Sequence, residues 1–221
     1  MRVEIWSDVV CPWCYIGKRR FEKALAILRD KGVTTPIEVV YRSYQLDPTA
    51  PAGSPTPVVE AYAKKFGGTD RAREILGHVT RVAAEDGIAF NMDIALRANT
   101  VVAHRALHWA LTECEGSGTD AQSRLKESLL AAYFTEGLDV GDPDVVAACA
   151  TAIGLDGAAL RLWLDGDGGK DAVVADMRAG VERDISGVPA FVINDAFLVP
   201  GAQDAEVFVN VLERIISRAS D

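Results

Sequence analysis

Two cysteines three positions apart, Cys11 and Cys14, frame Cys11-Pro12-Trp13-Cys14 at the point where a strand-like apolar run turns into a helical one. Sulfurs at i and i+3 on the first turn of a helix project to one side and fit the roughly 5.5 Å Cα separation of a disulfide. The pair can therefore bridge without unfolding anything. The leading sulfur also lies among the unpaired N–H groups of the helix start, where the dipole favours negative charge. This predicts a Cys11 pKa lowered from about 8.5 toward the roughly 3.5–7.5 range of reactive thiols. Cys11 is thus the expected nucleophile and the more exposed sulfur, with Cys14 as its partner. Pro12 suits the first helical position, where its fixed φ is helical and its missing N–H is not needed. Trp13 is expected near the surface, either flanking a substrate or packing under the turn.

A metal clasp, an inert disulfide and a redox dithiol all use such a pair. Structural zinc needs four ligands, and one C-x-x-C supplies half of them. His78, His104, His108, Cys114 and Cys149 are dispersed and show no paired spacing near the first two cysteines, although His104 and His108 lie one helical turn apart. Cys114 and Cys149 stand singly in helix-like segments, as inert buried thiols do. No metal is expected. A reducing compartment would keep an inert disulfide open, and the strand-to-helix setting of the motif favours redox chemistry.

The elements that must hold this dithiol are legible in outline. Val3, Ile5 and Trp6 form a short strand pattern, and Ser7 to Val10 lead into the helix. Phe21, Ala24, Leu25 and Leu28 recur at helical spacing until Lys31-Gly32 closes the stripe. Ile37, Val39, Tyr41 and Ser43 then alternate as one face of a second strand. Positions 47–57, DPTAPAGSPTP, read as an irregular connection. Beyond them the pattern predicts helices over 56–66, 71–86, 100–114, 121–134, 143–153, 158–164 and 170–183. Near the end, 190–193 and 196–199 flank Asn194-Asp195, a pair that tolerates the positive φ of a tight hairpin. Val207, Phe208, Val211, Leu212, Ile215 and Ile216 mark a final amphipathic helix.

The fold class expected is α/β, in the order βαβ…ββα with a large all-helical insertion. Residues 1–48 and 185–221 form a discontinuous domain around the sheet, and 49–184 the insertion. Length and composition agree: 221 residues, 49% apolar and 25% charged, suffice for a sizeable core without staples. The net charge of -9, from 32 acidic against 23 basic residues, disfavours nucleic acid and anionic membrane surfaces as partners. No run approaches the roughly 18 apolar residues of a membrane span. The sequence enters Arg2-Val3-Glu4-Ile5-Trp6 without a basic and apolar leader. A soluble, cytoplasmic protein is expected.

The segments CPWCYIGKRRFEKAL, NTVVAHRALHWA and GVPAFVINDAFLVPGAQ together resemble the thioredoxin-fold superfamily, specifically DsbA-like oxidoreductases of the FrnE type. The resemblance implies that Val188-Pro189 is the family's cis-proline position, beside the dithiol, and that the Val188 backbone pairs with an extended substrate segment. Pro12, Trp13, Val188 and Pro189 are then substrate-binding candidates around the catalytic Cys11 and Cys14. It also brings the start of the 100–114 helix toward the cleft, where Asn99 and His104 either contact substrate or serve as cap and core.

The implied activity is protein thiol–disulfide exchange: Cys11 attacks, Cys14 resolves, and the Cys11-Cys14 disulfide serves in place of a bound cofactor. The partners are protein or small-molecule thiols and disulfides, with glutathione a candidate co-substrate and a homodimer a candidate assembly. Two rivals stand beside it. Glutathione-dependent isomerases and transferases of the kappa-class and hydroxychromene-carboxylate type share the fold but generally have serine at the position of Cys11. A redox-independent chaperone or peptide-binding module would survive loss of both sulfurs.

Overall fold

The computed structural model describes residues 1–220. It begins with β1 (Arg2–Ser7), α1 (Pro12–Asp30) and β2 (Glu38–Ser43). There follow β3 (Thr56–Pro57), α2 (Val58–Phe66), α3 (Thr69–Glu85), β4 (Leu96–Arg97), α4 (Val101–Thr112), α5 (Thr119–Phe134), α6 (Pro143–Ala152), α7 (Gly157–Asp165) and α8 (Lys170–Glu182). The chain returns to the sheet through β5 (Ala190–Ile193) and β6 (Phe197–Pro200), and ends in α9 (Ala205–Ser220).

The main sheet has the order β2-β1-β5-β6, with β1 parallel to β2 and antiparallel to β5, and β5 antiparallel to β6. A parallel pair needs a crossover, which α1 supplies. Alternation along the strands then sorts the side chains. On one face Val3, Ile5, Phe191 and Ile193 meet Phe21 and Leu28 of α1 and Phe208 and Leu212 of α9. Phe21 is central, with ring centroids 5.2 Å from both Phe191 and Phe208. On the other face Trp6, Ala190 and Val192 pack on Ile185 and Ala179. Both faces are covered, which is why Val40, off the expected Val39–Tyr41 face, is also buried.

Asn194 and Asp195 hold positive φ, +50° and +57°, at the hairpin. The helices lie close to their expected positions. One segment differs: Thr56 and Pro57 do not open α2 but pair antiparallel with Leu96 and Arg97. Pro57 is extended at φ -54°, ψ 133°, and a proline biases the residue before it away from helix.

Helices from the middle of the chain close the outer edge of β2. The Gln122 side-chain amide accepts from Tyr41 N–H at 2.8 Å and donates to Tyr41 C=O at 2.9 Å, as a neighbouring strand would. Asp176 of α8 accepts from Ser43 N–H at 3.0 Å and from Arg42 at 3.1 Å, while its carbonyl accepts from the Trp6 indole at 2.8 Å. The second, larger core lies among these helices, and Val9, Tyr15 and Ile16, which flank the dithiol, belong to it. The motif therefore sits where the two cores meet.

Candidate active site

The register that sets Trp6 opposite Ala190 carries two segments past the same end of the sheet. One runs forward into Asp8–Cys11; the other is Val188–Pro189. Cys11 is the N-cap of α1, extended at φ -91° and ψ 115°, with Pro12 just inside the helix. Its carbonyl accepts from Cys14 N–H at 3.0 Å and Tyr15 N–H at 3.3 Å. No side chain caps this helix and its first turn holds no acid, so the positive end of the dipole is left to the sulfurs.

Both cysteines are free thiols, and across the cleft Cys11 Sγ lies 3.7 Å from the Val188 carbonyl oxygen. The Val188-Pro189 peptide is cis. Pro189 packs against α1 one turn beyond Cys14, where a Cβ on Gly17 would meet Pro189 Cγ at 2.9 Å. The structure thus brings Cys11, Cys14, Val188 and Pro189 together. Pro12 is buried beneath them, and Trp13 stands at the surface, 39% exposed.

Two expectations for the sulfurs are corrected. Cys11 and Cys14 are equally buried, at 3% and 2% exposure. The direction of the pKa shifts also runs opposite to the one expected from the helix dipole. The neighbouring Cys14 sulfur, with burial, pushes the Cys11 pKa up. Burial opposes ionisation of Cys14 too, but the Cys11 thiol and the buried Lys126 ammonium outweigh it, and its pKa falls. The dipole argument treated Cys11 as a lone thiol. Two sulfurs sharing one proton titrate as a unit.

Beneath the dithiol lies a polar cluster of which sequence reasoning named only His104. Asp8 is fully buried and accepts from Val9 N–H and Leu46 N–H, both at 2.8 Å, and from His104 Nε2 at 3.1 Å. That nitrogen also lies 3.0 Å from the Tyr44 carbonyl, so it carries the proton. Burial raises the Asp8 pKa, but His104, the Leu46 N–H and Lys126 together hold it below the usual value. His104 therefore faces Asp8 rather than the open cleft. Asn99 holds a turn: its Oδ1 accepts from Val101 N–H at 3.1 Å and its Nδ2 donates to Ala50 C=O at 2.8 Å, while Thr100 is the N-cap.

Lys126 of α5 is fully buried, donates to Ser7 C=O at 3.5 Å and sits 5.7 Å from the Tyr41 ring centre. One signal could have found it. Gln122, Leu125, Lys126, Leu129, Leu130 and Tyr133 recur at helical spacing and are all buried, so a lysine interrupts the apolar stripe of α5. Cys114 and Cys149 stay apart from the cluster, and burial pushes both thiols up.

Beside the dithiol opens a cleft of about 550 Å³, floored by Val10, Leu46, Val58, Tyr62 and Tyr133, with Lys64, Lys65 and Arg97 also lining it. Burial pushes the Tyr62 pKa up to about 12. The arrangement offers a paired dithiol, the Val188 carbonyl facing it and room for a substrate beside it.

The fold is similar to that of known proteins. The crystal structure of probable DsbA oxidoreductase SCO1869 from Streptomyces coelicolor is 34% identical, covering 97% of this chain and 89% of that one, with a TM-score of 0.86. The uncharacterized protein YwbO of Bacillus subtilis (strain 168) is 27% identical over 212 residues, 94% of each chain. Cytosolic disulfide reductase DsbM from Pseudomonas aeruginosa, solved also with GSH, shares the fold at 16% identity, covering 98% of this chain and 99% of that one, with a TM-score of 0.66. With residues 2–213 matching the DSBA-like thioredoxin domain, the chain belongs to the DsbA-like thioredoxin family.

Proposed function

We propose that this protein is a thiol–disulfide oxidoreductase working through Cys11 and Cys14. The observation that carries the reading is the dithiol at an uncapped helix start, with the Val188 carbonyl 3.7 Å from Cys11 Sγ. In the reduced protein the shared proton passes to Cys14, and Cys11 thiolate attacks a substrate disulfide. A Cys11–substrate disulfide forms and the other substrate sulfur leaves with the electron pair. Cys14 then attacks Cys11 Sγ, the internal disulfide forms, and the second substrate sulfur departs as a thiol. Two electrons and the shared proton pass from the dithiol to the substrate, and the first leaving sulfur takes its proton from solvent. The reverse sequence oxidises a dithiol substrate.

The Val188 backbone is the natural rail for an extended substrate segment, since main-chain pairing requires little side-chain specificity. Pro12, Pro189 and Trp13 complete its walls. Glutathione is a suitable electron donor. Its presence in a DsbM structure favours it, and a cytosolic setting agrees with the same neighbour. The FrnE-type resemblance points the same way.

Replacing Cys14 with serine tests the reading. Without the resolving sulfur, Cys11-linked mixed disulfides should accumulate and be seen by mass spectrometry, while Cys11→Ser should lose multiple-turnover exchange. Full turnover in Cys11→Ser would sink the mechanism and favour a glutathione-dependent isomerase or a binding module.

A further inference from the structure

The wall that faces Cys11 is supported from behind. The β5–β6 ladder sets Ala190 opposite Pro200, and one further rung joins Gly201 N–H to the Pro189 carbonyl at 2.8 Å. The Val188-Pro189 loop is thus tied to the segment that leads from β6 into α9. Within that segment Gln203 bonds back on its neighbours, its N–H to Gly201 C=O at 3.0 Å and its side chain to Pro200 C=O at 2.7 Å. What fixes the segment to the rest of the molecule is α1. Gly17 lets this helix touch Ala202, since a Cβ there would lie 3.4 Å from the Ala202 Cα. Arg20, one turn further along, donates from Nη1 to Ala202 C=O at 3.0 Å and from Nε to Asp86 Oδ2 at 2.8 Å. Asp86 is the C-cap of α3, so one guanidinium joins α1, α3 and the segment behind Pro189. The Arg20 and Asp86 side chains are only 16% and 14% exposed, which shields the pair from salt; Asp204, also at 2.9 Å, is 78% exposed and adds little.

We propose that Arg20 is a positioning residue: by clamping the Ala202 carbonyl it holds the Val188-Pro189 loop in register with the dithiol, and so sets the Val188 main chain for an extended substrate segment. The inference rests on the exchange reading above. Cys11 caps α1, and Cys14 and Arg20 both lie within it, so the sulfurs and the clamp on the opposite wall share one rigid reference. The guanidinium suits the task because its planar fork fixes two acceptors at set angles, which a single ammonium does not. Asp86 holds the fork from its other side and keeps it aimed at Ala202. The consequence is geometric: the distance between the Val188 carbonyl and Cys11 Sγ, 3.7 Å, is set partly from the far side of Pro189.

Two variants and two readouts test this. Arg20→Met removes the fork and keeps an apolar stem. Because it leaves the Asp86 carboxylate without its cation, Arg20→Met/Asp86→Asn is made beside it, so that an orphaned charge does not decide the outcome. By amide hydrogen exchange followed with NMR, the Gly201 N–H should lose at least about tenfold of its protection in both variants, while the amides of β1 and β5 stay as protected as in the native protein.

In activity, exchange with a disulfide carried in an extended peptide should fall at least about tenfold more than exchange with 2-hydroxyethyl disulfide, which offers no main chain for Val188 to pair with. Equal losses for the two disulfides, unchanged Gly201 protection, or protection lost throughout the sheet each overturn the proposal, the last because it makes Arg20 a general stabiliser. Failure of the exchange reading would show separately: the native protein would turn over neither disulfide and Cys14→Ser would trap no adducts, whatever the Gly201 amide does.

Discussion

Gly17→Ala adds one carbon to α1 a single turn beyond Cys14, at 2.9 Å from Pro189 Cγ and 3.4 Å from both Cα and Cβ of Ala202. Carbon atoms pack best at about 3.5–4.0 Å, so the proline ring must withdraw by roughly 0.6–1.1 Å or the helix must tilt away from it. Two effects on stability oppose each other. Alanine gains about 1 kcal/mol over glycine inside a helix, and overpacking of this kind costs about 1–3 kcal/mol. The net loss should be no more than about 2 kcal/mol. Activity should suffer more, because the displaced loop carries the Val188 carbonyl that faces Cys11 at 3.7 Å. A misplacement near 1 Å can lower a rate by up to about a hundredfold. Single-turnover exchange with a model disulfide should therefore fall by about ten- to a hundredfold while urea unfolding changes modestly. Full-rate exchange by a natively folded Gly17→Ala protein would refute the claim that this contact sets the loop's position.

Other outcomes follow from the buried cluster. The Asp8 carboxyl has a lowered folded pKa, so its contribution is complete above its unfolded value of about 3.9 and is lost as pH falls through the folded value; Asp8→Asn should flatten the acid limb of stability measured by urea titration below about pH 4. Lys126 has the opposite consequence: its pKa falls from 10.5 to about 8, so the unfolded chain binds more protons between those values and stability should rise with pH across that window. Lys126→Met should remove that rise and be the more stable protein at neutral pH, by an amount on the order of 3 kcal/mol. Gln122→Ala leaves both main-chain groups of Tyr41 without their side-chain partners and should lower the urea midpoint by an amount equivalent to about 1–3 kcal/mol.

What the sequence disclosed is what short-range patterns encode. The dithiol, the strand before it, the Phe21–Leu28 stripe and the Asn194-Asp195 turn each depend on residues within a few positions of one another. The Thr56–Pro57 pairing with Leu96–Arg97 was hidden because a ladder so short has no periodicity of its own. Asp8 and Lys126 were hidden, and the role of His104 was left open, for another reason. Their meaning lies in mutual distance, and the elements that carry them, the end of β1, α4 and α5, converge only in the folded chain. The same convergence pushes the Cys11 pKa up and the Cys14 pKa down, a result that neither cysteine's local helix position contains.

Cys11 and the carbonyl that faces it are 177 positions apart in the chain. A ribosome adding roughly 5–20 residues each second takes about 9–35 s to make that span. During this interval β1 and α1 have emerged with both sulfurs, but β5 and the loop before it do not yet exist. The nascent chain therefore carries a C-x-x-C without the wall that will shelter it. Accidental oxidation or adduct formation is most probable in this newborn form, and the finished protein's thiols are protected in part by the last stretch of chain to be synthesised.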